Sequence, residues 1–156
     1  MNYWLLKSEA DVYSIDDLKR DKTTIWDNIR NYRARNIMRT EMKPGDLFLF
    51  YYSMGKNGSN GVAGIGKILS VNLPDMSALD KQSEYFDPKA SREKNPWVAI
   101  KVGFVTKFKY LVPLDVIKDE PKLKNMVLLK IARLSVQPVK REEFDLIRSL
   151  GSKKSA

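Results

Sequence analysis

"WVAIKVGFVTKFKY", Trp97 to Tyr110, alternates well enough to read as one long strand. Val98, Ile100, Val102 and Phe104 fall on one side of it, Lys101 and Gly103 on the other. Working outward, "MSALDKQSEYFDPKASREKNP" at 76–96 has no regular period. It reads as a long surface excursion, and loops of that length tend to be functional or mobile. Before it, "VAGIGKILSVNLPD" has strand character with Gly64 and Gly66 inside, which signals a bulge, a sharp bend or a close backbone approach. "MGKNGSNG" at 54–61 is a Gly/Asn-rich loop, and "DLFLFYYS" is a strand launched by the turn signal "KPGD" at 43–46. "YWLLK" at 3–7 is a buried strand, and Ser14 with Asp17 forms a capping box that starts a short helix facing Ile15 and Leu18 inward.

Downstream, "PLDVIKDEP" is a short helix closed by Pro121, "RLSVQPV" at 133–139 a short strand, and "KREEFDLIRSLG" a terminal helix. Phe144, Ile147 and Leu150 line the inner stripe of that helix and Gly151 stops it. The result is five or six strands with three or four short helices, an α+β fold around a small, strongly bent sheet or barrel. One domain over residues 1–151 is expected, with 152–156 a disordered basic tail.

Composition narrows the chemistry. The 156 residues include no Cys and no His. Disulfides, thiolate zinc sites and cysteine nucleophiles are excluded, along with the commonest general base and metal ligand. An enzyme would have to use carboxylates, Lys, Tyr or Ser. The expectation is a non-enzymatic protein with no cofactor and no metal. The net charge of +9, from 28 Lys+Arg against 19 Asp+Glu, favours a polyanionic partner such as nucleic acid or an acidic membrane surface. The N-terminus lacks the basic and long apolar regions of a signal peptide. No stretch approaches the ~20 apolar residues of a membrane span. A cytoplasmic protein is expected, without membrane partners, and a monomer.

"TTIWDNIRNYRARN", Thr23 to Asn36, concentrates aromatic, Arg and Asn residues. A helix beginning near Arg30 puts Ala34, Ile37 and Met38 on a core face, with Asn31, Arg35 and Arg39 towards solvent and Tyr32 and Asn36 near them. Trp26 precedes it in a loop with Asn28, either as a core plug or as one wall of an aromatic pocket. Arg30 starts the helix on its apolar side, so it needs an acidic partner, a carbonyl cluster or a bound anion. Asp16, Asp17, Asp27 and Glu9 are the candidate partners. Arg33, Arg35 and Arg39 form a basic surface able to contact phosphates. Lys7, Ser8 and Glu9 follow the first strand, Tyr51 and Ser53 end another, and "RLSVQP" mixes Arg, Ser and Gln with apolar residues. Each of these is either an ordinary strand exit or part of a site, where Ser and Gln bond a base edge while Trp and Tyr stack.

Taken in order, "NYWLLKSEADVYSIDDL", "WDNIRNYRARN", "KPGDLFLFYYS", "VAGIGKI", "YFDPKA", "WVAIKVGFV" and "RLSVQPV" resemble the EVE domain family of the PUA-like superfamily, from about Asn2 to Leu150. The resemblance implies a PUA-like bent β-barrel of about six strands, kinship with YTH domains that cage a methylated adenine of RNA, and binding of a modified base, particularly modified cytosine in DNA, by extrusion into a pocket. The pocket positions it implies are Lys7, Ser8, Glu9, Trp26, Asn28, Arg30, Asn31, Tyr32, Tyr51, Ser53, Leu134, Ser135 and Gln137, with Leu134, Ser135 and Gln137 facing the ligand. Phosphate contacts are expected from Arg33, Arg35, Arg39 and the loop residues Lys89, Arg92 and Lys94. Ala10 stands where the family has Pro, which removes a backbone constraint but no polar group. Asn28 stands where the family often has Gly, and Asn tolerates the left-handed conformation such a turn requires. The competing expectations are an RNA-processing hydrolase using Lys7, Glu9 and Tyr51, and a pocket for a free nucleoside or a protein partner.

Overall fold

The computed structural model describes residues 1–53 and 60–153. Along the chain run β1 (Tyr3–Ser8), α1 (Ile15–Asp21), β2 (Thr23–Trp26), α2 (Tyr32–Thr40), β3 (Leu47–Tyr52), β4 (Gly61–Pro74), a 3-10 turn (Met76–Leu79), β5 (Val98–Pro113), α3 (Leu114–Asp119), a second 3-10 turn (Pro121–Leu123), α4 (Val127–Lys130), β6 (Val136–Val139) and α5 (Arg141–Gly151). The six strands form one mixed sheet in the order β2-β5-β4-β3-β1-β6. β1 and β3 are parallel and the other neighbours antiparallel. The α+β expectation holds. The barrel is corrected to an open sheet, because β2 and β6 are its two edges and do not pair with each other. Bending comes from register shifts, one between β3 and β4 and several between β4 and β5.

Alternation along the central strands divides the core. Trp4, Leu6, Phe48 and Phe50 pack into one buried cluster with Trp26, Ala34, Ile37 and Met38. Leu5, Leu49 and Tyr51 point the other way, into a cluster with Phe144 and Ile147 of α5. Val98, Ile100, Val102 and Phe104 all join the first cluster, as their period required. The strand glycines mark close approach: a Cβ on Gly66 would lie 2.2 Å from the Phe48 ring, and one on Gly64 2.4 Å from the Thr106 carbonyl oxygen.

Several boundaries differ from the sequence expectation. Trp26 is the last residue of β2 and pairs with Ile100, so it does not sit in a loop. The polar Thr23 and Thr24 disguise a strand only four residues long. α2 starts at Tyr32 rather than Arg30, because the Asn31 side chain accepts from the Ala34 N–H and caps it. Gly151 does not stop α5 in a left-handed turn. It is the buried last helical residue, and a Cβ there would lie 2.5 Å from the Phe108 ring. The strand in "RLSVQPV" shortens to Val136–Val139. α4 has no counterpart in the expected elements. The capping box at Ser14 is present, with both reciprocal bonds. Of the Gly/Asn-rich loop, residues 54–59 lie outside the described residues and Gly61 opens β4. Of the expected tail, Ser152 caps α5, and residues 154–156 lie outside the described residues.

Candidate nucleic-acid interface

Parallel pairing of β1 and β3 brings their C-terminal ends side by side, Lys7 against Tyr51 and Ser8 against Tyr52. The chain leaving β3 continues the contact, with the Ser53 N–H donating to the Ser8 carbonyl at 2.8 Å. On the other flank the Lys7 N–H donates to the Ser135 carbonyl at 3.0 Å. The Lys7 ammonium donates to the Ala132 carbonyl at 2.6 Å and lies 5.9 Å from the centre of the Tyr51 ring. Burial pushes the Lys7 ammonium down and the Tyr51 phenol up from their ordinary values. The Ser8 hydroxyl donates to the Tyr13 carbonyl at 2.7 Å. Lys7, Ser8, Tyr51, Ser53 and Ser135 are therefore brought together, as the sequence suggested.

Trp26 stands on the opposite face of the sheet from Tyr51. Its ring meets Phe48 and Phe50 edge-on, with centroids 5.9 Å and 5.4 Å away, and 8% of the residue is exposed. Leu134 packs in the same cluster as Trp26. Gln137 lies beside Leu5, whose side chain belongs to the other cluster. Its amide nitrogen donates to the Leu134 and Ile131 carbonyls at 2.8 Å and 3.2 Å and so holds the chain entering β6. Its Oε1 is buried without a hydrogen bond among the described residues.

Arg30 is the centre of a second grouping. Its partner is none of the four acids considered from sequence but Asp75, whose side chain is fully buried, at 2.9 Å. The guanidinium also donates to the Tyr85 carbonyl at 2.8 Å and 3.1 Å, to the Ile29 carbonyl and to the Ser77 hydroxyl. Asp75 further accepts from the Asn28 N–H at 2.9 Å and from the Ser77 N–H and hydroxyl. Burial alone would raise the Asp75 carboxyl, but the bonds from Ser77, Arg30 and Asn28 outweigh it and hold the carboxyl below its ordinary range. Asn28 adopts φ 68°, the left-handed turn foreseen for it. This network ties the segment after β2 to the excursion at 76–96. Glu9 also reaches this region, since its charge and that of Arg30 both act on the Tyr85 phenol.

Aromatic rings cover the network. Arg30 lies 5.0 Å from the Trp97 ring centre, and Arg35 lies 4.9 Å from Tyr32 and 5.7 Å from Trp97. Tyr32 and Trp97 are 5.2 Å apart. The Trp97 indole N–H donates to Asp87 at 2.8 Å, and that bond leads the effects that lower the Asp87 carboxyl. Tyr32 stays 63% exposed. Arg33 and Arg39 on α2, and Lys89, Arg92 and Lys94 on the excursion, are exposed. Because Tyr32 and Arg35 touch Trp97, these two basic patches adjoin. Asp75, Tyr85 and Trp97 were missed in the sequence. The run "DMS" carried a signal, since Asp75 caps the following turn through Ser77, but nothing in the spacing pointed to Arg30. Among the described residues no acidic cluster offers a metal site, and no helix is long and apolar enough to cross a membrane.

A bent open sheet flanked by short helices, with arginines interleaved with aromatics on one surface, is the build of a PUA-like domain. The chain belongs to the EVE domain family, whose profile matches residues 2–150. Human thymocyte nuclear protein 1 is 41% identical over 172 residues, covering 97% of this chain and 75% of that protein. A hypothetical protein from Leishmania major superposes with a TM-score of 0.91 at 47% identity, covering 97% of this chain and 94% of that one. Human THYN1 protein, solved in complex with 5-methylcytosine containing DNA, superposes with a TM-score of 0.91 at 37% identity, covering 99% of this chain and all of that one.

Proposed function

We propose that this protein binds DNA carrying a modified cytosine and holds that base out of the stack in a pocket of its EVE domain, without catalysing a reaction on it. The observation that carries the reading is the close likeness, over nearly the whole chain, to a human protein solved with 5-methylcytosine containing DNA. The chain's own chemistry supports it. Extruding a base costs a few kcal/mol, and stacking on an aromatic side chain returns about 1–3 kcal/mol. Arg33, Arg39, Lys89, Arg92 and Lys94 supply salt-sensitive phosphate contacts around the Tyr32–Trp97 pair. Lys7, Ser8, Glu9, Asn28 and Ser53 supply polar groups at the strand ends. A hydrolase using Lys7, Glu9 and Tyr51 is disfavoured, because Tyr51 is pushed away from the phenolate and Lys7 is engaged with a backbone carbonyl. A DNA reader works where the DNA is, which sets the cytoplasmic expectation against the nuclear relatives.

The test is titration against matched oligonucleotides containing cytosine, 5-methylcytosine or 5-hydroxymethylcytosine, and adenine or methyladenine, as DNA and as RNA, at two salt concentrations. Preference for modified cytosine in DNA that persists at the higher salt supports the reading. Uniform binding that vanishes with salt would reduce the protein to a nonspecific phosphate binder.

A further inference from the structure

We infer that Asp27 recognises the Watson–Crick edge of the extruded cytosine, accepting a hydrogen bond from its N4 amino group and sharing a proton with its N3. The inference rests on the proposed reading of modified cytosine and goes beyond it by naming the group that tells cytosine from thymine.

Asp27 follows Trp26 at the end of the edge strand β2, outside any regular element and half-buried. The next residue, Asn28, turns through a positive φ with its N–H fixed on Asp75, so the backbone carrying Asp27 wraps around the Arg30–Asp75 pair. Arg30 satisfies Asp75 and has its other donors on carbonyls and Ser77, leaving Asp27 outside the ion pair. Among the described residues the Asp27 carboxyl takes a hydrogen bond from its own backbone N–H and from no side chain. An acid held partly out of water in a surface meant for phosphate opposes both stability and affinity unless it meets a donor. Two charged groups act on it: Asp75 disfavours its ionised form and Arg30 favours it, while burial, the largest effect, raises its pKa. A carboxyl that readily keeps its proton presents one acceptor and one donor. Cytosine presents the complement, a donor at N4 and an acceptor at N3. Thymine carries the same 5-methyl group with the opposite pattern, an acceptor at O4 and a donor at N3, and is refused.

The experiment measures binding of wild-type protein, Asp27→Ala and Asp27→Asn to DNA duplexes that differ at one position, 5-methylcytosine, cytosine or thymine. The cost of opening each base pair cancels when the variants are compared with wild type. Asp27→Ala is expected to lower the preference for 5-methylcytosine over thymine by about tenfold or more while leaving the preference over plain cytosine in place. Asp27→Asn supplies the same acceptor and donor without a titrating proton. It should keep the preference and flatten the fall in affinity that wild type shows as pH rises from mildly acidic to mildly alkaline. An unchanged thymine ratio in Asp27→Ala, or the same loss in Asp27→Asn as in Asp27→Ala, overturns the assignment. A wild-type protein indifferent to the methyl group overturns instead the reading on which it rests.

Discussion

Two aspartates separated by a few ångströms of turn carry opposite linkage to pH. Asp75 is depressed in the fold, so its stabilising contribution is fully present above the ordinary aspartate value of 3.8 and is lost as pH falls through the lower folded value. Removing it strands the Arg30 guanidinium, the Asn28 N–H and the Ser77 donors. Asp75→Ala should cost about 3–5 kcal/mol at neutral pH, measured by denaturant unfolding. Asp27 is raised, so its ionised form costs the fold stability at neutral pH. Asp27→Asn should therefore melt above wild type at pH 7, with the gap closing as pH falls below 3.8. Calorimetry across that range reads both signs. Trp26, buried edge-on against two phenylalanines, should cost about 3–5 kcal/mol as Trp26→Ala. Trp26→Phe is the milder probe of any separate effect on base preference.

At the scale of elements, Gly151 is a packing residue on α5. Gly151→Ala must displace the Phe108 ring of β5 and should destabilise by about 1–3 kcal/mol, with α5 losing hydrogen-exchange protection first. That role was illegible in the sequence, where a Gly after a helical stripe reads as a stop signal. The helix and strand phases themselves were legible: Ser14 and Asp17 announced α1, Ala34, Ile37 and Met38 the inner face of α2, and Val98 to Phe104 the inner face of β5. Asn28 was legible too, because few residues tolerate its backbone angle. The short strand ending at Trp26 was not, since four residues with two threonines carry too little period. Nor was the partner of Arg30, which lies 45 residues along the chain, beyond any local pattern.

For the whole molecule, the charge of +9 and the adjoining basic patches of α2 and the 76–96 excursion predict salt-sensitive association. Arg33→Ala or Arg39→Ala should weaken binding to methylated and unmethylated DNA alike and reduce the salt slope by about one, leaving base preference untouched. Extrusion of the modified base is the central claim, and it has a direct signal. A 2-aminopurine placed beside a single 5-methylcytosine in a DNA duplex brightens when its neighbour leaves the stack. Titration with this protein should give a saturable rise for the methylated duplex that survives added salt, with little change for the unmethylated one. Tight binding without brightening, or equal brightening of both duplexes, would contradict the account.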